Sequence, residues 1–489
     1  MAKKKAQGQG HGAADVQKST SQQDIRSDIS SLPDSRPATT TSPRSSKKKQ
    51  KHNNNIKDKE TDSNIFVMIN AAVALGLVGL AVHASKDGQG INGLFKKNNN
   101  GNGNGSGTPR YAQVIRPSSF AVLDTVPSPS QHNFTTLFFP PGTDADSLKE
   151  KPFLIYDDAF YDIIGSDPTL TVIADSGTNP LFHEATVWYP PTDEVFFVQN
   201  AGAPAAGTGL DKSAIVQKIS LSQAQNVVSN GGSVDVITVN TSVPVINPNG
   251  ATNFRGKIVF TGEGQGEDIP PALYWVEPVE PHNATVILNN YYGRQFNSLN
   301  DVAVNPRNKQ LYFTDVTYGY LQDFRPAPVL PNQVYRFDAD TGALGVVADG
   351  FNLPNGVTFS PDGKYAYVAD TGANAGFWGF NYTKPSTLYR FDVNDDGTWD
   401  NRMTFAYIDS GVPDGVHCDT KGNVYAGVGD GIHVWNPSGL LLGKIWLGVT
   451  SANFQFAGKG RMVICAETKL YYVTLGAEGA DITSSQYSG

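Results

Sequence analysis

Short strands that alternate apolar and polar residues, joined by turns, recur through most of the chain. In residues 353–370 an apolar segment runs into a turn from Ser360 to Gly363, and an alternating segment from Tyr365 to Ala369 follows. Proline fixes φ and glycine tolerates positive φ, so the Pro-Asp-Gly sequence of this turn favours a tight reversal of the chain. The segment is predicted to form a β-hairpin, which opens with the polar residue Asn355.

The same unit, here called the cassette, occurs six times. Each cassette opens with a residue whose side chain carries an oxygen, and these lead residues are Glu184, Asn249, Asn300, Asn355, Asp414 and Asn453. Spacings of roughly 40 to 60 residues between units of short strands are typical of β-propellers. We therefore predict an all-β fold, a six-bladed β-propeller in which equivalent positions face a common axis. Four lead residues, Glu184, Asn300, Asn355 and Asp414, are predicted to share one repeat offset and to converge on this axis. A strand from the N-terminal part of the domain is expected to complete the last blade, because ring closure removes exposed sheet edges. No long amphipathic helical pattern is found in this domain.

The chain begins with a basic tail. Residues 1–62 hold thirteen Lys and Arg against seven Asp and Glu, and almost no large apolar residues. Such a segment buries too little apolar surface to offset its chain entropy, so we predict disorder. Because the whole chain has a net charge of −8, the remainder is strongly acidic, which argues against nucleic acid as a partner.

An apolar segment follows the tail. Residues 65–84 form a run of 20 residues without a formal charge, enough for a helix of about 30 Å that crosses a bilayer. Lysines precede it, so the positive-inside rule predicts a type II signal-anchor with residues 1–62 in the cytosol and the rest lumenal or extracellular. The alternative is a buried helix of the globular domain. The small residues that end at Ala84 also resemble a cleavage site, so release of the domain is a further alternative.

The rest of the chain divides into a linker and the propeller. Residues 85–110 have the Gly and Asn composition of a flexible linker, and residues 111–489 are predicted to form the propeller. Four glycosylation sequons agree with translocation into the secretory pathway, at Asn133, Asn240, Asn283 and Asn381. The two cysteines, Cys418 and Cys465, are too few for a disulfide scaffold, and their pairing stays open.

Four motifs, taken in sequence order, resemble those of a known protein family. They comprise His183 with Glu184, residues 299–301, residues 353–356 with the turn at 360–363, and residues 412–416. Together they resemble the gluconolactonase and regucalcin (senescence marker protein) family, and within it the fungal-type lactonohydrolases, over roughly residues 180–475. The resemblance implies a six-bladed propeller that holds a divalent cation, commonly calcium, at its axis and hydrolyses lactones or related esters.

The resemblance also implies a set of metal ligands. Glu184, Asn355 and Asp414 match the ligands of the family, and Asn300 matches a position that contacts metal or substrate. Carboxylate and amide oxygens suit Ca²⁺ or another hard divalent cation, so the residue types agree with this reading. Each Asn alone is equally a turn residue that caps its own backbone. Asp414 resembles the residue that activates water, and direct nucleophilic attack by its carboxylate is the competing mechanism.

Other residues are candidates for contacts with the substrate. His183 and His417 lie near the lead residues and are candidate substrate-binding groups, although a structural role is the alternative for each. The sugar-lactonase branch has an arginine two residues before the position of Asn300, and Ser298 stands there in this chain. Aromatic residues are candidates for a more apolar mouth, namely Tyr291, Tyr292, Tyr318, Tyr320, Phe377 and Trp378.

Two functions from different classes remain. The first is a divalent-cation-dependent hydrolase acting on a small lactone or ester, tethered to a membrane by residues 65–84. The second is a non-catalytic propeller that keeps the cation for rigidity and serves as a binding or scaffold domain. No Gly-x-Ser-x-Gly nucleophile elbow is present in the sequence, which argues against a serine hydrolase.

Overall fold

A computed structural model describes residues 107–480 of the chain. Six sheets, each built on four antiparallel strands, make up this part of the chain, and one of them carries two further strands that pair in parallel with each other. The predicted six-bladed propeller is confirmed, including the second blade, which opens at Asn249. The tail 1–62, the apolar segment 65–84 and the linker to residue 106 lie outside the described residues. Within residues 107–480 no helix is long and apolar enough to span a membrane.

The strands of the first three blades are short and regular. Blade 1 contains β4 (Glu184–Tyr189), β5 (Glu194–Val198), β6 (Val216–Ser220) and β7 (Ile237–Thr238). Blade 2 contains β8 (Pro248–Phe254), β9 (Lys257–Gly262), β10 (Ala272–Val276) and β11 (Ala284–Leu288). Blade 3 contains β12 (Leu299–Val304), β13 (Leu311–Asp315), β14 (Gln333–Phe337) and β15 (Leu344–Ala348).

The last three blades follow the same order, with additions from the start of the domain. Blade 4 contains β16 (Pro354–Phe359), β17 (Tyr365–Asp370), β18 (Thr387–Val393) and β19 (Trp399–Tyr407). Blade 5 contains β20 (Val416–Cys418), β21 (Val424–Val428), β22 (Gly431–Trp435) and β23 (Leu441–Trp446), extended by β2 (Phe153–Ile155) and β1 (Ala112–Val114). Blade 6 contains β24 (Asn453–Phe456), β25 (Arg461–Ala466), β26 (Lys469–Thr474) and β3 (Thr169–Asp175).

Ring closure joins the two ends of the domain. Strand β3 pairs antiparallel with β26, with Thr169 opposite Thr474 and Asp175 opposite Lys469. The Thr169 and Thr474 hydroxyls hydrogen-bond at 2.7 Å. Because β3 comes from the start of the domain and forms the outermost strand of the last blade, it closes the ring as the sequence predicted.

Interlocking aromatic side chains hold neighbouring blades together. Between blades 3 and 4, Tyr312 stacks on Trp399 at 5.5 Å and meets Phe359 edge to face at 4.9 Å. Each such ring buries a large apolar area, and the edge and stacked geometries suit aromatic quadrupoles. The blade interfaces are therefore the core that positions the inner strands.

Helices are few and short. They are α1 (Ala145–Glu150), α2 (Phe160–Ile164), α3 (Leu221–Asn230) and α4 (Tyr318–Leu321), with 3-10 turns at Pro117–Ser119, Pro190–Thr192, Pro204–Ala206 and Gly376–Trp378. The ten-residue helix α3 was not anticipated from the sequence. It buries Leu221, Ala224 and Val227, a single apolar stripe that is too brief to form a clear helical period.

Candidate active site

The lead residues lie at or near the start of the inner strands, next to a β-bulge. Glu184 pairs with Val198 and Pro354 pairs with Asp370, and each pairing is followed by a register shift. In its own blade, Glu184 is therefore equivalent to Pro354, and Asn355 lies one position further along the strand. The prediction of one shared repeat offset is wrong for Glu184, although its side chain is one methylene longer and still reaches the carboxyl of Asp414.

A glycine follows several lead residues for a steric reason. A Cβ on Gly356 would lie 2.2 Å from the carbonyl oxygen of Asp414, and one on Gly415 would lie 2.7 Å from Cγ of Asn453. Such distances are impossible for real side chains. The glycines therefore let the inner strand of the next blade come close enough to bring lead residues together at the axis.

Two buried carboxyl groups meet at this point. Glu184 is 2% exposed, and burial followed by the nearby charge of Asp414 raises its pKa well above the ordinary value. Burial raises the pKa of Asp414 to about 6, even though His183 and hydrogen bonds from Glu184 and Asn355 oppose the rise. The Asn453 side-chain amide donates to Oε2 of Glu184 at 2.6 Å. Two carboxyl groups in contact repel each other when both are ionised, so a cation bound between them stabilises their ionised forms.

Three buried side-chain oxygens of the lead residues have no hydrogen-bond donor. They are the Oδ1 atoms of Asn300, Asn355 and Asp414. Thr314 links the backbones of two of these blades, because it accepts from Asp301 N at 3.0 Å and donates to Asn355 O at 2.8 Å. A buried acceptor without a donor costs about 1–3 kcal/mol. The three Oδ1 atoms, from several blades, therefore remain without a donor from the described residues.

This donor set fits a hard cation. Across residues 107–480, no group of three or more His, Cys, Asp and Glu side chains forms a metal cluster, so a site made of acidic and histidine ligands alone is not found. Two carboxylates and two amide oxygens give the ligand chemistry that Ca²⁺ accepts. The structure brings Glu184, Asn355 and Asp414 together, and it supplies Asn300 with an oxygen that lacks a donor.

The two candidate histidines lie in different places. His183 Nδ1 contacts Glu467 Oε1 at 2.8 Å. Burial opposes protonation of His183, but the charges of Glu467 and Asp414 outweigh it and raise its pKa. Carboxylate neighbours therefore favour the protonated form of His183.

His417 lies further along the axis. It lines a cavity of about 40 Å³ together with Asp301 and Gln455, and its ring packs edge to face on Phe454 at 5.0 Å. The alternation of strand β20 thus separates His417 from Asp414.

Two residues near the site were missed from the sequence. Asn453, read there only as a lead residue, orients Glu184. Glu263 follows β9 and is 2% exposed, and its Oε1 accepts from Ser298 Oγ at 2.9 Å. Burial raises the pKa of Glu263 to about 7, opposed by Ser298, His183 and Arg325. Its only sequence signal was a charged residue directly after an apolar strand.

Residues around the mouth of the site differ in exposure. The Tyr318 hydroxyl bonds to Thr371 Oγ1 at 2.5 Å, and the charges of Asp414 and Glu263 act on it. Tyr320 and Trp378 form an aromatic pair at 5.3 Å. Tyr291 instead packs on Tyr335 at 5.3 Å, and Tyr292 and Phe377 are exposed.

Polar residues that bear on recognition or modification are also located. Ser298 is fully buried, whereas Arg294 is exposed and does not replace the missing arginine. Of the sequons, Asn240, Asn283 and Asn381 are exposed and Asn133 is half-buried. Cys418 and Cys465 are both buried free thiols.

Comparisons with known proteins find similarity to gluconolactonases and lactonohydrolases. A family model described as SMP-30/Gluconolactonase/LRE-like region matches residues 250–468. The chain is 28% identical over 378 residues to the lactonohydrolase oryH of Aspergillus oryzae, which covers 63% of this chain and 76% of that protein. It is 32% identical over 183 residues to a gluconolactonase of Zymomonas mobilis, which covers 36% of this chain and 48% of that protein.

Solved structures agree on the fold. A gluconolactonase from Xanthomonas campestris is similar with a TM-score of 0.52 and 23% identity, over 66% of this chain and 94% of that one. At this identity the likeness supports the propeller architecture alone.

Proposed function

We propose that this chain, which belongs to the SMP-30/gluconolactonase/LRE-like family, hydrolyses a lactone or a related carboxylic ester at the propeller axis. The proposal depends above all on one observation. The Glu184 and Asp414 carboxyl groups contact each other, Asn355 contacts Asp414, and the Oδ1 atoms of Asn300 and Asn355 have no donor. These groups cost stability unless a ligand uses them.

We propose that Glu184, Asn300, Asn355 and Asp414 hold a divalent cation, Ca²⁺ or another hard ion. When bound, such a cation supplies Lewis-acid stabilisation of the negative charge that develops on a carbonyl oxygen. Asn453 and the glycines after the lead residues keep the ligand oxygens in place. Asn300 and His183 are the proposed substrate contacts on the open side of the ligand set.

Asp414 is the proposed catalytic residue. A carboxylate whose pKa is raised to about 6 is a stronger base than an ordinary one and remains ionised at neutral pH. In this role it takes a proton from water as the water attacks the acyl carbon. Nucleophilic attack by the same carboxylate is the other route, and incorporation of ¹⁸O from labelled water into Asp414 in a single turnover distinguishes them.

The experiment is a panel of aliphatic lactones and aryl esters, tested on the purified chain with and without chelator and with Asp414→Asn. We expect hydrolysis by the wild-type chain that is lost in chelator, is restored by Ca²⁺, and falls by at least 100-fold in the variant. Asp158→Asn, an exposed carboxylate away from the ring centre, is the matched control. A folded, metal-loaded chain inert on the whole panel supports a scaffold instead.

We also propose that residues 65–84 anchor the chain as a type II membrane protein with the propeller lumenal or extracellular. Exposed sequons at Asn240, Asn283 and Asn381 support this orientation. Expression in a host that glycosylates should give a chain whose electrophoretic mobility increases after N-glycan removal. A chain that carries no glycan and stays in the cytosol contradicts the proposal.

A further inference from the structure

Glu263 is a buried acid without a cationic partner. It is 2% exposed, and its Oε1 accepts a hydrogen bond from Ser298 Oγ at 2.9 Å. Among residues 107–480 no Lys, Arg or His forms an ion pair with it. The nearby Arg325 instead donates to the carbonyl oxygens of Asn297 and Ile269. A buried carboxyl held only by a hydroxyl favours its neutral form.

The fold sets this carboxyl at the active end of the axis. Glu263 directly follows Gly262, which pairs with Pro248 at the start of the inner strand of blade 2. Ser298, its partner, lies two residues before Asn300, and the Ser298 hydroxyl also accepts from Gly319 N at 3.2 Å. The charge of Glu263 acts on His183 and Tyr318, and the charge of Asp414 acts on the same two residues. Glu263 and Asp414 therefore both lie near His183 and Tyr318.

We propose that Glu263 is a second catalytic residue, the general acid that protonates the departing ring oxygen of the lactone. The inference rests on the proposed hydrolase function. Water adds its oxygen to the acyl carbon and gives one proton to the Asp414 carboxylate. The bond from the acyl carbon to the ring oxygen breaks, and the ring oxygen takes the proton of the Glu263 carboxyl. The products are the hydroxy acid, a protonated Asp414 and an ionised Glu263, and one proton exchanged through solvent resets the pair.

The charges around Glu263 suit this task. Burial raises its pKa to about 7, whereas Ser298, His183 and Arg325 act in the opposite direction. A donor that titrates near neutral pH gives up its proton readily yet regains it between turnovers.

The test uses the leaving group. An aliphatic lactone expels an alkoxide, which needs a proton, whereas a p-nitrophenyl ester expels a phenolate that leaves without one. Glu263→Gln keeps the shape and the hydrogen-bonding capacity but carries no acidic proton. We expect its kcat on the lactone to fall by about 100-fold or more, and its kcat on the aryl ester to change by less than threefold. Glu267→Gln, an exposed carboxylate on the same loop, should leave both rates unchanged.

A second measurement needs no variant. In the wild-type chain, kcat on the lactone should decline as pH rises above neutrality, while kcat on the aryl ester should not decline. Equal losses on both substrates in Glu263→Gln, or a wild-type decline shared by both, would overturn the assignment while leaving the hydrolase function in place. A wild-type chain that hydrolyses neither substrate removes the hydrolase function, and the general acid with it.

Discussion

Replacing Asp414 by Asn is expected to stabilise the cation-free domain at pH 8 although it abolishes activity. The pKa of Asp414 is about 6 in the fold against an ordinary value of 3.8, because the carboxyl is buried. Between these values the unfolded chain releases a proton that the folded chain retains, so the free energy of unfolding falls as pH rises. The accumulated loss above pH 6 is about 3 kcal/mol, and the neutral Asn side chain avoids it.

For a domain of this size, about 3 kcal/mol corresponds to a rise of about 4 °C in the unfolding midpoint. The gain should shrink as the pH approaches 4, close to the ordinary pKa of 3.8, because the unfolded chain regains part of the proton that the folded chain has kept. Ca²⁺ at about 1,000 times Kd should reverse the order, because only the wild-type chain gains binding free energy, about 4.1 kcal/mol, which exceeds the loss of about 3 kcal/mol.

The assay is thermal unfolding of both chains in chelator at pH 4, 6 and 8, and again at pH 8 with excess Ca²⁺. Asp158→Asn, which removes an exposed carboxylate, is the control and should not change the midpoint. A variant that is less stable than wild type in chelator at pH 8, or equally stabilised at pH 4 and pH 8, refutes the electrostatic reasoning.

Three further predictions concern the support of the site. Gly356→Ala places a Cβ 2.2 Å from the Asp414 carbonyl and should lower the unfolding midpoint and the Ca²⁺ affinity, whereas Gly345→Ala, with open space around it, should change neither. Asn453→Ala releases Glu184 and should weaken Ca²⁺ binding by 10- to 100-fold by calorimetry, and an unchanged Kd would contradict its orienting role. Lys444→Met leaves the buried Asp430 without its ammonium partner at 3.4 Å and should cost about 3 kcal/mol in denaturant unfolding, part of which the double variant with Asp430→Asn should recover.

Much of the architecture was readable because its signals are local. The Pro-Asp-Gly turn at residues 361–363 and the alternation after it mark a hairpin, and repetition of this unit gives the blade count. The closing role of β3 followed from the need to cover sheet edges, and its pairing with β26 confirms it. These features depend on residues adjacent in the sequence or on the general physics of a closed ring.

The details of the site depend on contacts between blades, and these were harder to read. The same register shift follows Glu184, Leu299 and Pro354, so Glu184 lies one position before the place that Asn300 and Asn355 occupy, and no local pattern encodes this difference. The bond from Asn453 to Glu184 joins residues 269 positions apart. The burial of Glu263 is likewise set by blades 2 and 3 together, so a charged residue after a strand looked like an ordinary loop residue.

The most direct test is a crystal structure of the chain grown with Ca²⁺ or with a heavier lanthanide in its place. We predict one anomalous peak on the axis, about 2.3–2.6 Å from carboxylate oxygens of Glu184 and Asp414 and from Oδ1 of Asn355. A peak that touches only one of these residues, or a chain that binds no cation at the axis, would contradict it.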